Sequence, residues 1–136
     1  MRKLLAVALL SAIALPAADL TGFWLGSATT GRRNQMIDFA FRFVQNGSTL
    51  TGKAYLDYGT TPILKGVVDG DKLSFEIVAR EQNGNEINES VFKFTGVMKD
   101  GNIECTRERQ EIRNAGNAGA GFSRPGELTF TVKRLP

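Results

Sequence analysis

The stretch QMIDFAFRFVQ at residues 35–45 alternates between apolar and polar side chains. One phase of this two-residue period contains only bulky apolar side chains, namely Ile37, Phe39, Phe41 and Phe43. Because successive side chains of a strand point to opposite faces, the pattern predicts a strand that covers a core on one side. The next dipeptide, Asn46-Gly47, tolerates the positive φ angles of a tight hairpin turn. The stretch therefore predicts a β-hairpin.

The same alternation recurs along the chain, and no stretch after residue 20 shows a helical period. We predict eight strands: TGFWLGSAT, QMIDFAFRFVQ, STLTGKAYLD, TPILKGVVD, KLSFEIVAR, EINESVFKFTGVM, NIECTRER and ELTFTVKR. Short hairpin connections favour an up-and-down order, and closure of the sheet removes exposed strand edges. The prediction is an all-β fold, an eight-stranded antiparallel up-and-down β-barrel, with a β-sandwich as the alternative.

The first residues, MRKLLAVALLSAIALPAAD, have the three parts of a secretory signal: a basic start, an apolar run and small residues. The apolar run is shorter than the roughly 20 residues that a membrane-spanning helix needs. We therefore expect residues 1–18 to be a cleaved signal peptide and residues 19–136 to form a single barrel domain. Cleavage after Ala14 and cleavage after Ala18 both stay open. The mature protein is expected in the periplasm or outside the cell.

The charge of the mature chain is nearly balanced, since the net charge of +3 falls to +1 once Arg2 and Lys3 leave with the leader. A nucleic-acid-binding protein normally keeps a clustered basic excess, so we expect no nucleic-acid partner. The single cysteine, Cys105, cannot form an internal disulfide, and its alternation with Ile103 predicts a buried, inert thiol.

Catalytic signals are weak. Histidine is absent, which removes the usual general base and the commonest zinc ligand. Most glutamates fall out of phase with the apolar faces, whereas a glycosidase needs two carboxyl groups facing across a cleft. We therefore expect a non-catalytic protein with no cofactor and no metal site. A hydrolase with buried carboxylates is the least favoured alternative.

The only tryptophan of the chain lies near the start of the first predicted strand. Gly22 permits close backbone approach there, and Trp24 is large enough to close one end of a narrow barrel. On the last strand, Arg134 continues the phase of Phe130 and Val132. A closed barrel sets its first and last strands side by side, so we expect the Arg134 guanidinium to lie against the Trp24 indole.

The sequence Gly22-Phe23-Trp24 near the start of an eight-stranded meander, with Arg134 near its end, resembles the structural signature of the calycins, which include lipocalins and avidins. "LTGFW" is similar to the first strand of avidin-like proteins, although avidins line their biotin site with several tryptophans and this chain has one. The whole layout also resembles small secreted bacterial barrels of unassigned function. Their features here are "DLTGFW", "LTGK", "VVDGDKLSFEI", "FTGVMKDGNI", a glycine-rich loop and "FTVKR". This resemblance implies the fold and export, and it implies no activity.

An eight-stranded barrel has a lumen that is filled by side chains or holds one small ligand. We predict ligand-binding residues in the lumen and at its mouth: Phe39, Phe41, Phe43, Tyr55, Phe75, Phe92, Phe94 and Phe122. The same phenylalanines are also explained as a filled core, and the glycine-rich segment 114–126 as either a flap or a linker. Two functions stay open: binding a small apolar molecule, and docking on a partner protein as an accessory or inhibitor-like module of an exported enzyme.

Overall fold

The computed structural model describes residues 19–29, 34–57, 59–83, 85–113 and 127–136. These residues form strands and turns, and none of them belongs to a helix long and apolar enough to cross a membrane. The strands are β1 (Gly22–Thr29), β2 (Met36–Asn46), β3 (Thr49–Leu56), β4 (Gly59–Pro62), β5 (Leu64–Asp69), β6 (Lys72–Asn83), β7 (Glu86–Lys99), β8 (Asn102–Arg113) and β9 (Leu128–Arg134). The predicted signal peptide, the segment 114–126 and its Phe122 lie outside the described residues.

The sheet closes on itself because its first and last strands are neighbours. β1 pairs with β9 in antiparallel register, with Trp24 opposite Arg134 and Gly26 opposite Val132. β4 and β5 both pair with β3, so together they occupy one position in the wall. The architecture is thus a closed eight-stranded antiparallel up-and-down barrel, which confirms the predicted fold class and rules out the sandwich.

The fourth strand differs from its prediction, because "TPILKGVVD" is broken at Ile63 rather than continuous. Lys65 has a φ of 52°, and the register between β5 and β6 shifts in the same segment. Pro62 has no N–H to donate to a ladder, and a Cβ at Gly66 would overlap the carbonyl oxygen of Leu50. The wall is therefore irregular here, at a position that a side-chain alternation pattern does not reveal.

The lumen is filled with aromatic rings over much of its length. Phe41, Phe43, Phe75 and Phe94 are almost completely buried. The rings of Phe75 and Phe94 stack at 4.8 Å between centroids, and Phe41 meets both of them edge to face at 5.4 and 5.5 Å. Such pairs each contribute about 0.5–1.5 kcal/mol beyond simple burial. This part of the barrel is a packed core.

Candidate functional site

One end of the barrel, which we call the closed end, is covered by Trp24. The indole is 0% exposed, and its Nε1 donates a hydrogen bond of 2.8 Å to the carbonyl oxygen of Leu20. Leu20 is also buried, and its backbone N–H donates to Oε1 of Gln45 at 2.9 Å. The segment before β1 is thereby fixed across the barrel end.

The Arg134 side chain lies over the Trp24 indole. Its guanidinium carbon is 4.7 Å from the Trp24 ring centroid, and its Nη1 donates to the carbonyl oxygen of Thr21 at 2.9 Å. Gly22, with a φ of 141°, passes beside the same guanidinium. A hydrogen bond from the backbone N–H of Thr21 lowers the pKa of the nearby Asp19 carboxyl. The structure therefore brings Gly22, Trp24 and Arg134 together at the closed end.

A cavity of about 270 Å³ lies at the opposite end, which we call the open end. It sits where β2 begins, where β3 ends and beside the middle of β7 and β8. The inner part of its wall includes Ile37, Phe39, Leu56, Ala79, Phe92 and Arg107. Its rim carries the charged residues Asp38, Asp57 and Arg80, all largely exposed. The inner part of the cavity wall is thus largely apolar and includes the Arg107 guanidinium, whereas the rim is charged.

Two guanidinium groups belong to the inner face of the barrel near this cavity. The register of β7 with β8 puts Arg107 opposite Phe94 and Arg109 opposite Phe92, in the same phase as the buried Cys105. The Arg107 guanidinium carbon is 4.6 Å from the Phe92 ring centroid and 5.8 Å from that of Phe39. Arg109 lies 5.3 Å from the Phe92 centroid. These cation–π contacts, each worth about 0.5–2 kcal/mol, orient the guanidinium groups on the aromatic wall.

The buried carboxamide of Asn88 lies on β7 in the same inward phase as Phe92. Asn88 is 1% exposed, and among the described residues neither its Nδ2 nor its Oδ1 has a hydrogen-bond partner. Ser90, also buried, lies opposite Ala79, which is part of the cavity wall. A buried polar group without a partner costs about 1–3 kcal/mol, and such groups are rare in folded proteins. The open end thus contains a hydrogen-bond donor and an acceptor, both on Asn88, that no described residue satisfies.

The predicted lumen residues separate into three groups. Phe39, Tyr55 and Phe92 contribute to the cavity wall, although the Tyr55 ring also faces outward against Phe23 at 6.3 Å. The residues that pack in the core away from the cavity are Phe41, Phe43, Phe75 and Phe94. Phe122 lies outside the described residues. Arg107 and Arg109 were not predicted to face inward, although both continue the apolar phase of Ile103 and Cys105.

The chemistry available at these sites is limited. Burial raises the pKa of the Cys105 thiol to about 12, so the thiol keeps its proton at neutral pH. Within the described part of the chain, no three His, Cys, Asp or Glu side chains come close enough together to hold a metal ion.

No known protein family, curated protein or solved structure matches this chain. The class of protein is therefore defined by geometry alone. A closed eight-stranded antiparallel barrel with Trp24 and Arg134 stacked at one end is consistent with a calycin-like fold. A depression of about 320 Å³ lies on the outer face of the barrel at Val67, Thr95 and Glu104, whereas the cavity at the open end is lined by inner-face side chains and is the candidate ligand site.

Proposed function

We propose that this protein is an exported, non-catalytic binding protein of the lipocalin-like kind, which holds a small amphipathic anion at the open end of its barrel. The observation that carries the proposal is the Arg107 guanidinium, which lies on the Phe92 and Phe39 rings in the wall of the cavity. An aromatic wall binds the apolar part of a ligand, and a guanidinium binds a carboxylate, sulfonate or phosphate through paired hydrogen bonds.

The size of the cavity favours a compact ligand. Ligand pockets usually measure about 300–1,000 Å³, and this one, at about 270 Å³, lies just below that range. A long chain directed down the lumen axis would collide with the packed rings of Phe41, Phe75 and Phe94. The ligand that fits is a short apolar or aromatic body whose charged group reaches Arg107 in the cavity wall.

The polar inner residues favour a ligand with a charged or hydrogen-bonding group over a purely apolar one. Asp38, Asp57 and Arg80 are exposed at the rim, where water screens them. Arg107 is partly buried against aromatic rings, where an electrostatic contact is stronger than in water. The unpartnered carboxamide of Asn88 offers both a donor and an acceptor on the same inner face.

Export and the lack of catalysis belong to the same proposal. The leader MRKLLAVALLSAIALPAAD supports export, as does the resemblance to small secreted barrels. The absence of histidine and the protonated state of the buried Cys105 support a binding role, since neither an imidazole base nor a thiolate is at hand.

The test uses two fluorescent probes with the same aromatic body. 1-Anilinonaphthalene-8-sulfonate is anionic, and N-phenyl-1-naphthylamine lacks the sulfonate. We expect the anion to bind about tenfold or more tightly than the neutral probe, because a charged hydrogen-bond pair is worth about 1.5–3 kcal/mol. Arg107→Met should remove that difference and leave binding of the neutral probe nearly unchanged.

The matched control is Lys93→Met, which removes one positive charge from the outer wall. Circular dichroism melts establish that each variant is folded, because the anionic probe also binds loosely packed states. Equal affinity for both probes would argue against the proposal. So would an equal loss of anion binding in Arg107→Met and Lys93→Met.

A further inference from the structure

The outer wall formed by β1, β2 and β3 carries large apolar side chains in solvent. We call the surface of Phe23, Leu25, Val44 and Tyr55 the outer apolar surface. Phe23 is 43% exposed and Tyr55 is 37% exposed, and their ring centroids are 6.3 Å apart. Contiguous exposed apolar surface on a soluble protein is a common sign of an interaction site.

The strand registers assemble this surface from residues that are distant in sequence. Leu25 on β1 lies opposite Ala40 on β2, and Ala40 lies opposite Tyr55 on β3. In the next row, Phe23 lies opposite Arg42. The guanidinium carbon of Arg42 is 5.6 Å from the Phe23 ring centroid. The aromatic rings and this cation form one continuous patch.

All the charged residues within these rows are positive. Arg42 pairs with Lys53 on β3, and Leu25 pairs with Lys133 on β9. The adjacent acidic residue on β2, Asp38, lies opposite Ser27, one row closer to the open end. The surface is therefore apolar and cationic.

The wall on the other side of the barrel has a different charge pattern. Lys65 and Glu76 form an ion pair of 3.3 Å, and Lys99 and Glu104 form one of 3.8 Å. On that wall Lys93 also lies opposite Glu76 and Glu108 in the strand registers. Positive charges there are matched by acids of the same chain, whereas those around Phe23 and Tyr55 have none in their rows. The described residues in the rows of Arg42, Lys53 and Lys133 include no acid, so the outer apolar surface carries a net positive charge that suits an acidic partner.

We propose that the outer apolar surface is a docking site for an acidic segment of a partner protein that also carries apolar side chains. A second copy of this chain, paired through a twofold axis, would bring the same three cations against each other. A lipid surface is bound by apolar side chains that protrude, and Phe23 and Tyr55 instead lie against each other with more than half of their surface covered. Charge complementarity with a protein segment is the arrangement that suits these residues.

The test measures fluorescence anisotropy of a short labelled peptide in which acidic residues alternate with leucine. The mature protein should bind it, and raised salt should weaken the binding. The triple variant Arg42→Gln, Lys53→Gln, Lys133→Gln should lower the affinity about tenfold or more. The matched triple variant Lys72→Gln, Lys93→Gln, Lys99→Gln makes the same change in net charge on the other wall and should alter it less than about twofold.

A second variant tests the apolar part of the surface independently of charge. Phe23→Thr with Tyr55→Thr keeps strand propensity, because threonine suits a solvent-facing strand position. It should also weaken peptide binding about tenfold while the melting transition is preserved.

Several results would overturn the docking proposal. These are equal losses in the two charge variants, equal binding of a peptide with lysine in place of the acids, and no binding of the acidic peptide at all. Binding to phosphatidylglycerol vesicles that is lost in the Phe23→Thr, Tyr55→Thr variant would assign the surface to a membrane instead. A dimer that the same variant dissociates would assign it to self-association. None of these tests depends on the small-molecule site inside the barrel.

Discussion

Replacing Trp24 by alanine is expected to cost a large part of the stability of the domain. The indole is completely buried, donates its Nε1 hydrogen bond to Leu20 and carries the Arg134 guanidinium on its face. A buried Trp→Ala deletion costs about 3–5 kcal/mol. Leaving the Leu20 carbonyl without its donor adds about 1–3 kcal/mol, and loss of the cation–π contact adds about 0.5–2 kcal/mol. Because these terms overlap, we expect a total of about 4–7 kcal/mol.

The assay is urea unfolding followed by circular dichroism, since Trp24 is the only tryptophan and its removal abolishes that fluorescence signal. Trp24→Phe separates the contributions, because it keeps a buried ring and loses the hydrogen bond, at a cost of about 1–3 kcal/mol. Phe23→Ala is the control, since the neighbouring ring faces outward and should cost about 1 kcal/mol or less. A Trp24→Ala loss no larger than that of Phe23→Ala would refute the assignment of the indole as the plug of the closed end.

Three further changes test other parts of the structure. Burial raises the pKa of the Cys105 thiol to about 12 from its ordinary 9.0. The contribution of this thiol to folding stability should therefore be fully present below pH 9 and decline above it, by at most about 1.4 kcal/mol per pH unit. Urea unfolding at a series of pH values should show the decline, and Cys105→Ala should remove it. Gly52→Ala should lower the free energy of unfolding by more than about 2 kcal/mol, because the new Cβ would overlap the carbonyl oxygen of Arg42. Gly47→Ala is the comparison in thermal melts and should cost about 1–2 kcal/mol, because that turn has open space around it and only the positive φ opposes alanine. Asn88→Leu should stabilise the ligand-free protein by about 1–3 kcal/mol and weaken binding of the anionic probe, and a loss of stability would show that the carboxamide has a partner.

The fold was predictable because side-chain alternation and turn chemistry agree along most of the chain. In β2 every second residue from Ile37 to Phe43 faces the core, as the pattern predicts. Turns follow where glycine supplies a positive φ, at Gly47, Gly70 and Gly101. The break near Lys65 was not predictable, since it depends on how closely two backbones approach in the folded barrel.

The candidate site was only partly predictable. The sequence identified Phe39 and Phe92 as inward-facing, and it could not show that other rings of the same phase pack together and leave a cavity at only one end. Arg107 and Arg109 were overlooked because charged side chains are usually assigned to solvent. Their phase with Cys105 was the available signal. The cost of placing a cation inward is offset by the aromatic rings on which it lies.

The two ends of the barrel differ in how they are packed. At the closed end, Trp24 and Arg134 join the first and last strands with a packed indole and hydrogen bonds to the chain before β1. At the open end, the inner face also carries the guanidinium groups of Arg107 and Arg109 and the carboxamide of Asn88. A ligand bound there would contact a wall whose geometry is fixed by the core beneath it, which reduces the entropic cost of binding.

The most direct measurement of the proposed site is nuclear magnetic resonance of residues 19–136 titrated with 1-anilinonaphthalene-8-sulfonate. Amide shifts should change at Ile37, Phe39, Ala79, Phe92 and Arg107, and the amides around Trp24 should stay unchanged. Chemical shifts that change only at residues facing outward would contradict the account. So would an Arg107→Met variant that binds the probe with unchanged affinity and shows the same shift changes at the inner residues.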